Sequence, residues 1–305
     1  MSLPILSIKG VSKFYTHKTA LDQVSLDIPK GSIFGLLGPN GAGKTSLLRI
    51  INQITMADTG SVEMNGQALS KDHLHQIGYL PEERGLYKKQ KVWAQLLYFA
   101  ELRGLTRREA VNKAEYWLKK MELWEIRQKP LEELSKGMQQ KIQVIVACLH
   151  DPELLILDEP FSGFDPVNAE LLSSVLLELK QAGTSIIFST HRMESVEQLC
   201  DYMAIIHESK LVLNGKIDDI KAQYANGKVI VTCDQSIQLD PNTYAIHQHS
   251  INSKGQNVYT IQTLSGNNNA LISEVIKQAQ LLSFTPVTPS ILDIFIQLVT
   301  SNNNA

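Results

Sequence analysis

The stretch IFGLLGPNGAGKTSLLRII, residues 33–51, decides the fold of this chain. It begins with the apolar run Ile33–Leu37, which has the length of a buried strand, and it ends in residues with helical character. Between them, residues 38–45 match the pattern G-x-x-x-x-G-K-[ST]. Backbone N–H groups of residues 40–44 can wrap a chain of phosphates, because glycine places no Cβ in the way and adopts positive φ. The stretch therefore predicts a strand, a triphosphate-binding loop and a helix.

The side chains at the end of this loop suit a triphosphate and its metal ion. Lys44 would neutralise charge on the β- and γ-phosphates, and the hydroxyl of Thr45 can ligate Mg²⁺. A glycine-rich turn formed by chance is the alternative, but the flanking strand and helix are those that the motif requires. We therefore predict that the loop binds phosphate and Mg²⁺.

Two further segments place polar residues directly after apolar strands. The strand LLIL, residues 154–157, ends in Asp158, which would hold Mg²⁺ through water, and Glu159, which could polarise the attacking water as general base. By itself this pattern also fits a strand that runs into a polar turn, and the phosphate loop favours the catalytic interpretation. His191 follows the strand at 185–189 and is either structural or a γ-phosphate contact, since parallel strands end at the nucleotide edge of such a sheet.

A third segment, LSKGMQQKIQVIVACL at 134–149, predicts a helix whose amino-terminal end can hold an anion. Ser135 is a suitable N-cap, and Lys136 and Gly137 lie where unpaired N–H groups and the helix dipole favour negative charge. The predicted apolar face of this helix consists of Met138, Ile142, Ile145 and Leu149.

Composition indicates a globular chain that is large enough for more than one domain. The sequence has 305 residues, 43% of them hydrophobic, and a net charge of −2, so nothing in the bulk charge attracts nucleic acid or an anionic membrane. The first ten residues lack a secretory signal, and no apolar run is long enough to span a bilayer. Cys148, Cys200 and Cys233 are scattered and are expected to be buried thiols of a soluble protein in a reducing cytoplasm.

Strands alternate with helices along most of the chain, which predicts an α/β core with a mainly parallel sheet in residues 1–224. Early hairpins, one of them at 60–66, indicate an antiparallel β subdomain, and residues 82–150 are expected to form a helical subdomain. Composition changes near Tyr224, beyond which residues 229–233 and 258–262 are strand-like and are joined by Asn- and Ser-rich loops. Residues 225–305 are therefore expected to form a small C-terminal α+β domain.

The motifs GPNGAGKT, LSKGMQQK, LLILDEP, SGFDP and STH follow one another in an order that resembles the nucleotide-binding subunit of an ATP-binding-cassette (ABC) transporter. The resemblance covers about residues 4–222 and implies a P-loop NTPase cassette that binds and hydrolyses ATP with Mg²⁺. It places adenine on Tyr15, for which a core strand tyrosine is the alternative. The implied phosphate-binding residues are Gly38, Pro39, Asn40, Gly41, Ala42, Gly43, Lys44, Thr45 and Ser46.

The same resemblance implies a ligand for the amino-terminal end of the helix at Ser135–Gly137, which we call the helix mouth. In that family it binds the γ-phosphate held by a second, symmetry-related subunit, so Ser135 and Gly137 would complete the site built on Lys44 of the other copy. Asp165 of SGFDP would lie at the interface of this homodimer. Lys136, where the family usually has glycine, either reaches a phosphate or points to solvent.

Other departures from the family pattern affect the metal site and the groove for the partner. Position 82 is normally glutamine, and Glu82 can still ligate Mg²⁺ and act in catalysis, but it brings negative charge close to the γ-phosphate. Met138 replaces glutamine and Phe164 replaces leucine. Trp93 and Tyr98 are candidates to line the groove that receives a helix of the membrane domain.

The resemblance implies that ATP hydrolysis drives an integral membrane permease carried on a separate chain, with this subunit peripheral on the cytoplasmic face and not inserted in lipid. Its variants IGYLPEERGLY and LSKGMQQK are similar to a sub-group of sodium- and drug-exporting cassettes with a C-terminal appendix, which favours export. The alternative is a soluble, non-transport cassette ATPase that acts on ribosomes or nucleic acid. A nucleic-acid partner is not expected, because the basic run at 87–92 has no wider basic surface.

Two histidine pairs, His73 with His75 and His247 with His249, would place paired imidazoles on one strand face, as a metal site requires. No third ligand accompanies either pair, so a structural role is the simpler interpretation.

Overall fold

In the computed structural model, residues 3–82, 85–264 and 268–302 are described, and the chain divides into two compact units, 1–217 and 218–305. The sequence placed this division near Tyr224, after the helix α7 (Ile217–Gln223), whereas the structure divides the chain at the first residue of that helix. The difference arises because composition changes only where the strands beyond α7 begin.

The first unit contains a six-stranded sheet in the order β10-β9-β3-β8-β7-β6. All of its strands run parallel except β10, which pairs antiparallel with β9 at the edge. The strands are β3 (Ile33–Leu37), β6 (Ile77–Leu80), β7 (Leu154–Asp158), β8 (Ser185–Thr190), β9 (Tyr202–His207) and β10 (Lys210–Lys216). The predicted parallel α/β core is confirmed, since β3, β7 and β8 are buried along their whole length, as a sheet covered on both faces requires.

A second, antiparallel sheet in the order β2-β1-β4-β5 shares a hydrophobic core with the parallel sheet and α1. Its strands are β1 (Leu6–Tyr15), β2 (Lys18–Ile28), β4 (Thr59–Met64) and β5 (Gln67–Ala68). The predicted hairpin at 60–66 is the β4–β5 connection, where Asn65 and Gly66 both have positive φ, as a type I′ turn requires.

Helices surround the parallel sheet and also form the predicted helical subdomain. They are α1 (Lys44–Ile51), α2 (Val92–Leu102), α3 (Arg107–Lys120), α4 (Lys136–Cys148), α5 (Pro166–Gln181) and α6 (Met193–Leu199). Helices α2, α3 and α4 pack against one another, and α4 also packs against β6. None of the helices in the described part of the chain has the length and apolar character needed to cross a bilayer.

The second unit has its own antiparallel sheet, in the order β12-β13-β11-β14, with a core that includes Val231, Ile261, Leu271 and Val275. Its strands are β11 (Lys228–Cys233), β12 (Tyr244–Ile251), β13 (Asn257–Thr263) and β14 (Leu281–Pro286), and its helices are α8 (Asn268–Gln278) and α9 (Ile291–Asn302). The sequence predicted the alternating strands β11 and β13. It missed β14, whose side chains are only partly buried or exposed and show no clear period of two.

Candidate functional site

The loop after β3 adopts a conformation that only glycine permits at two positions. Gly38 has φ 151° and Gly43 has φ 117°. A Cβ would lie 2.1 Å from the carbonyl oxygen of Ile206 at Gly38 and 2.2 Å from that of Ala20 at Gly43. Both contacts are far below van der Waals distance, so these glycines let the loop pass close to neighbouring backbone.

Lys44 is the cation at the centre of the loop. It is 6% exposed, and its Nζ donates hydrogen bonds to the carbonyl oxygens of Gly38, at 2.7 Å, and Pro39, at 3.2 Å. Burial lowers the pKa of Lys44, while the charges of Glu159, Asp158 and Glu82 oppose this shift. The ammonium group therefore lies in a field of carboxylates and is positioned to neutralise an incoming anion.

A cavity of about 390 Å³ opens over this loop and collects many of the predicted site residues. Its lining consists of Tyr15, Lys18, Ala20, Asn40, Gly41, Gly43, Lys44, Thr45, Ser46, Glu82, Asp158 and Glu159. Ser135, Lys136, Gly137, Asp165 and His191 are not part of this lining, nor are the loop residues Gly38, Pro39 and Ala42. The parallel strands β3, β7 and β6 all end at this edge of the sheet, and their carboxyl ends deliver the loop, the Asp158–Glu159 pair and Glu82 to it.

Asp158 offers a free oxygen to this cavity. The residue is 1% exposed; its Oδ1 accepts a hydrogen bond from the Ser189 hydroxyl, and its buried Oδ2 has no hydrogen-bond partner among the described residues. A buried, unpartnered carboxylate oxygen is costly unless a cation or water meets it. With Thr45 and Glu82 in the same lining, the donor set is all oxygen, which is the chemistry that Mg²⁺ requires.

Glu159 is held in a strained backbone conformation beside His191. Its φ is 50°, unusual for a residue other than glycine, and its N–H lies within hydrogen-bond distance of both the carbonyl and the hydroxyl oxygen of Ser189. Nδ1 of His191 is 2.9 Å from Oε1 of Glu159. The end of β8 thus positions the carboxylate through Ser189 and His191.

Tyr15 is half exposed, at 47%, so the interpretation as a core tyrosine is wrong. It lies opposite Lys18 at the end of the β1–β2 hairpin, and both side chains line the cavity. Sequence reasoning missed Lys18, whose Nζ donates to the carbonyl oxygen of Gly41 at 2.8 Å, and Ala20. The hairpin between β1 and β2 was the signal that could have identified them.

The mouth of α4 faces outward. The hydroxyl of Ser135 accepts a hydrogen bond from the N–H of Met138 at 3.2 Å, which confirms the N-cap. Lys136 is exposed. Met138 is 37% exposed, so its assignment to the apolar face is wrong, because that position lies on the first turn before the helix reaches the core. At Gly137 a Cβ would find only Cδ1 of Phe164, at an ordinary 3.8 Å.

Asp165 caps α5. Its Oδ1 accepts from the N–H of Asn168 and its Oδ2 from the Asn168 side-chain amide, both at 2.8 Å. Both hydrogen bonds lower the pKa of Asp165, and the one from the backbone N–H of Asn168 has the larger effect. The helix therefore begins at Pro166, since an aspartate N-cap followed by proline defines the helix start.

A separate cavity of about 400 Å³ lies where β6, α2 and α4 meet, and we call it the α2–α4 groove. Its walls include Tyr79 of β6, Phe99 and Leu102 of α2, Arg103 after α2, and Gln143 and Val146 of α4. Trp93 and Tyr98, the candidates for the groove of the membrane domain, are not part of this lining. Trp93 packs edge-on against Trp124, with ring centroids 5.9 Å apart.

The structure does not place either histidine pair together on one strand face. His73 and His75 lie in a 3₁₀ turn (Lys71–Gln76) and not on a strand, and Nδ1 of His73 is 3.1 Å from the backbone nitrogen of Ser70. The side chain of His247 hydrogen-bonds that of Gln262, and the ring of His249 stacks on that of Tyr259. Gln262 and Tyr259 lie on opposite faces of β13. The two imidazoles are separated in this way because the β12–β13 register is irregular at His247. No group of three or more His, Cys, Asp or Glu side chains within the described ranges is arranged as a metal cluster.

The three thiols are free, and Cys148 and Cys233 are buried as predicted. Burial raises the pKa of the Cys148 thiol to about 12, so it is an unreactive core residue. Cys200 is only partly buried, which departs from the expectation.

Comparison with known proteins agrees with this geometry. The family model "ABC transporter" matches residues 21–162, and the model "ATP-binding protein DrrA1-3-like, C-terminal domain" matches residues 215–299. A solved structure described as the ATP-binding subunit of an ABC transporter superposes with a TM-score of 0.67 at 31% identity, covering 72% of this chain and 93% of its own.

Curated relatives extend the similarity over the whole chain. The ABC transporter ATP-binding protein YhaQ of Bacillus subtilis is 42% identical over 299 residues, or 97% of this chain and 98% of the relative. The Nod factor export ATP-binding protein I of Ralstonia nicotianae is 34% identical over 219 residues, or 70% of this chain and 68% of the relative. The chain thus belongs to the ATP-binding proteins of ABC transporters, a family whose ATP-binding domain hydrolyses ATP.

Proposed function

We propose that this chain hydrolyses ATP within a head-to-tail homodimer and so powers a separate integral membrane permease, in the direction of export. The observation that carries the proposal is the outward-facing mouth of α4. Gly137 costs helix stability relative to alanine, by up to about 1 kcal/mol. Yet no contact with the described residues requires a glycine there, since a Cβ would meet only Phe164 at an ordinary distance. A ligand from outside the chain accounts for the glycine.

Within one copy, the nucleotide cavity contains only part of the predicted site. The loop, Lys44 and the carboxylates line it, whereas Ser135 and Gly137 do not. In a two-fold dimer, the α4 mouth of each copy would cover the γ-phosphate that the other copy holds, where unpaired N–H groups and the helix dipole attract the anion.

The residues of the cavity assign the chemistry of hydrolysis. The loop N–H groups and Lys44 would hold the β- and γ-phosphates, and Tyr15 would stack on adenine. Thr45, Asp158 and Glu82 would hold Mg²⁺, which when bound offsets negative charge on the phosphates. Glu159 would accept a proton from the attacking water. His191, whose Nδ1 is 2.9 Å from Oε1 of Glu159, would orient this carboxylate.

Hydrolysis would then control the dimer. Contacts of Ser135 and Gly137 with the γ-phosphate exist only while that phosphate is bound, so ATP favours the closed dimer and ADP does not. A ligand shifts a conformational equilibrium only by its difference in affinity for the two states, and these contacts would provide the difference.

The α2–α4 groove is the surface proposed for the permease. It is mostly apolar, and it adjoins Glu82 through the segment that follows β6, so an inserted helix would lie close to the metal-binding side of the nucleotide site. Export is the proposed direction because the Nod factor relative is named for export.

The proposal is tested by purifying the tagged chain from detergent-solubilised membranes of its own cells and identifying the multi-spanning membrane protein that co-purifies with it. We expect co-purification and ATP hydrolysis that rises when the complex is placed in liposomes. Co-sedimentation with ribosomes, with no binding to the membrane protein, would instead support the non-transport alternative.

A further inference from the structure

Gln143 is a buried amide that the fold leaves unsatisfied. The residue is 5% exposed, in the middle of α4, and it lines the α2–α4 groove. Neither its Nε2 nor its Oε1 has a hydrogen-bond partner among the described residues. Buried polar side chains are almost always hydrogen-bonded, so an orphaned amide at an open groove indicates a partner that arrives from outside.

Arg103 is the second polar group of the groove. Its guanidinium donates to the carbonyl oxygen of Leu74 at 2.6 Å, and no carboxylate among the described residues forms an ion pair with it. Burial lowers the pKa of Arg103. An arginine has five N–H donors in a fixed fork, so one backbone carbonyl leaves most of them free for an acceptor.

Among the described residues that line the groove, none is acidic; they include Tyr79, Phe99, Leu102, Arg103, Gln143 and Val146. The hydroxyl of Tyr79 stays protonated, because burial, with the charge of Asp158, raises its pKa to about 12. The part of the lining that the structure describes is thus mostly apolar, with the positive charge of Arg103 and a surplus of hydrogen-bond donors. A carboxylate carried on an otherwise apolar helix is the complementary ligand.

We infer that the α2–α4 groove recognises the first turn of a cytoplasmic helix of the permease, with an acidic side chain that reaches Arg103 and the Nε2 of Gln143. A helix amino terminus suits both halves of the amide, since its unpaired backbone N–H groups can donate to Oε1 and its first turn favours acidic residues. This inference rests on the proposed function and adds the chemistry by which the chain selects its permease.

The test measures, in detergent, the affinity between this chain and the multi-spanning membrane protein that co-purifies with it. Gln143→Met keeps the shape of the side chain and removes both polar atoms, and we expect the dissociation constant to rise about tenfold or more, as for loss of a hydrogen bond to a charged group. Gln143→Glu places a second carboxylate in the groove and is expected to weaken binding further. Gln181→Met makes the same substitution at an exposed glutamine at the end of α5, outside the groove lining; it is the matched control and is expected to change affinity less than about threefold.

A double-mutant cycle identifies the acid. Each acidic residue in the cytoplasmic segments of the membrane protein is changed to its amide, alone and together with Gln143→Met, and one of them is expected to couple with Gln143. Denaturant unfolding of the Gln143→Met chain checks folding, and its stability should equal or exceed that of the wild type, since no unsatisfied amide remains.

The possible outcomes separate this inference from the proposed function. If the wild-type chain binds the membrane protein but Gln143→Met binds equally well, or no acidic residue couples, the inference is overturned and the permease proposal stands. An amide that is met only by water would give this result. If the wild-type chain does not bind the membrane protein, the permease proposal itself is overturned.

Discussion

Two glycines near the nucleotide site have different physical reasons for being glycine. Gly43 has positive φ, and a Cβ there would lie 2.2 Å from a backbone oxygen, so the fold of the chain itself excludes any larger residue. Gly137 has open space around the position of a Cβ. The first glycine is required by folding, whereas the second makes sense as a contact surface for a ligand.

Gly137→Ala separates these two requirements. We expect the variant to be as stable as the wild type or more stable by up to about 1 kcal/mol, because alanine favours a helix over glycine, while ATP hydrolysis falls by at least tenfold. Urea unfolding and phosphate release measure the two effects. Gly43→Ala is the control and should lose both stability and nucleotide binding, and full ATPase activity of Gly137→Ala would contradict the proposed role of the α4 mouth.

Lys44→Ala tests the assignment of the phosphate loop. Lys44 is the buried cation among Asp158, Glu159 and Glu82, so its removal leaves those carboxylates facing the phosphates without compensation. We expect ATP binding, measured by calorimetric titration, to disappear. Lys30→Ala, which removes a solvent-exposed lysine that does not line the cavity, should bind normally. Retained affinity in Lys44→Ala would show that the nucleotide binds elsewhere.

At the level of elements, α4 connects surfaces with different roles. Its first turn presents Ser135 and Gly137, its middle contributes Gln143 to the α2–α4 groove, and the residues after it approach β6 through His150. The same helix therefore contacts a second copy at one end, in our proposal, and the permease along its side. Movement of α4 would couple the two events.

His150 predicts a pH dependence of stability. Its Nε2 is 3.2 Å from the carbonyl oxygen of Ile77, and burial, followed by the charge of Arg103, lowers its pKa from 6.5 to about 4. Between these values the unfolded chain binds a proton that the folded chain does not. The free energy of unfolding should therefore fall as the pH is lowered from 6.5 to 4, and this contribution is fully present above 6.5.

Urea unfolding across this pH range, for the wild type and His150→Gln, provides the measurement. Glutamine can still donate to Ile77 but does not titrate, so the variant should show a smaller loss of stability on acidification. An identical slope for both proteins would remove His150 as the cause.

At the level of the whole molecule, the proposed unit of function is a pair of chains. Glu159→Gln should bind ATP but not hydrolyse it, and so accumulate closed dimers, which light scattering with size-exclusion chromatography would detect. ADP in place of ATP is the control and should leave the protein monomeric. Adding Ser135→Arg to Glu159→Gln should prevent the ATP-dependent dimer, because the larger side chain fills the mouth that covers the γ-phosphate. A dimer that forms equally with ADP would contradict the switch.

The sequence by itself determined the features that lie in contiguous residues. The phosphate loop, the N-cap at Ser135 and the strands β3, β7 and β8 are local patterns, because a turn, a cap or an apolar run acts through neighbours in the chain. The α/β class of the first unit follows from the alternation of such segments.

Only the tertiary structure decided what lies next to what. Lys18 and Ala20 line the cavity over the phosphate loop, and Trp93 packs on Trp124. The amide of Gln143 has no hydrogen-bond partner within the part of the chain that the structure describes. The local pattern of each of these residues fits a solvent-exposed or a core position equally well. These facts depend on contacts between segments far apart in the chain, where packing, and not local preference, sets the distance.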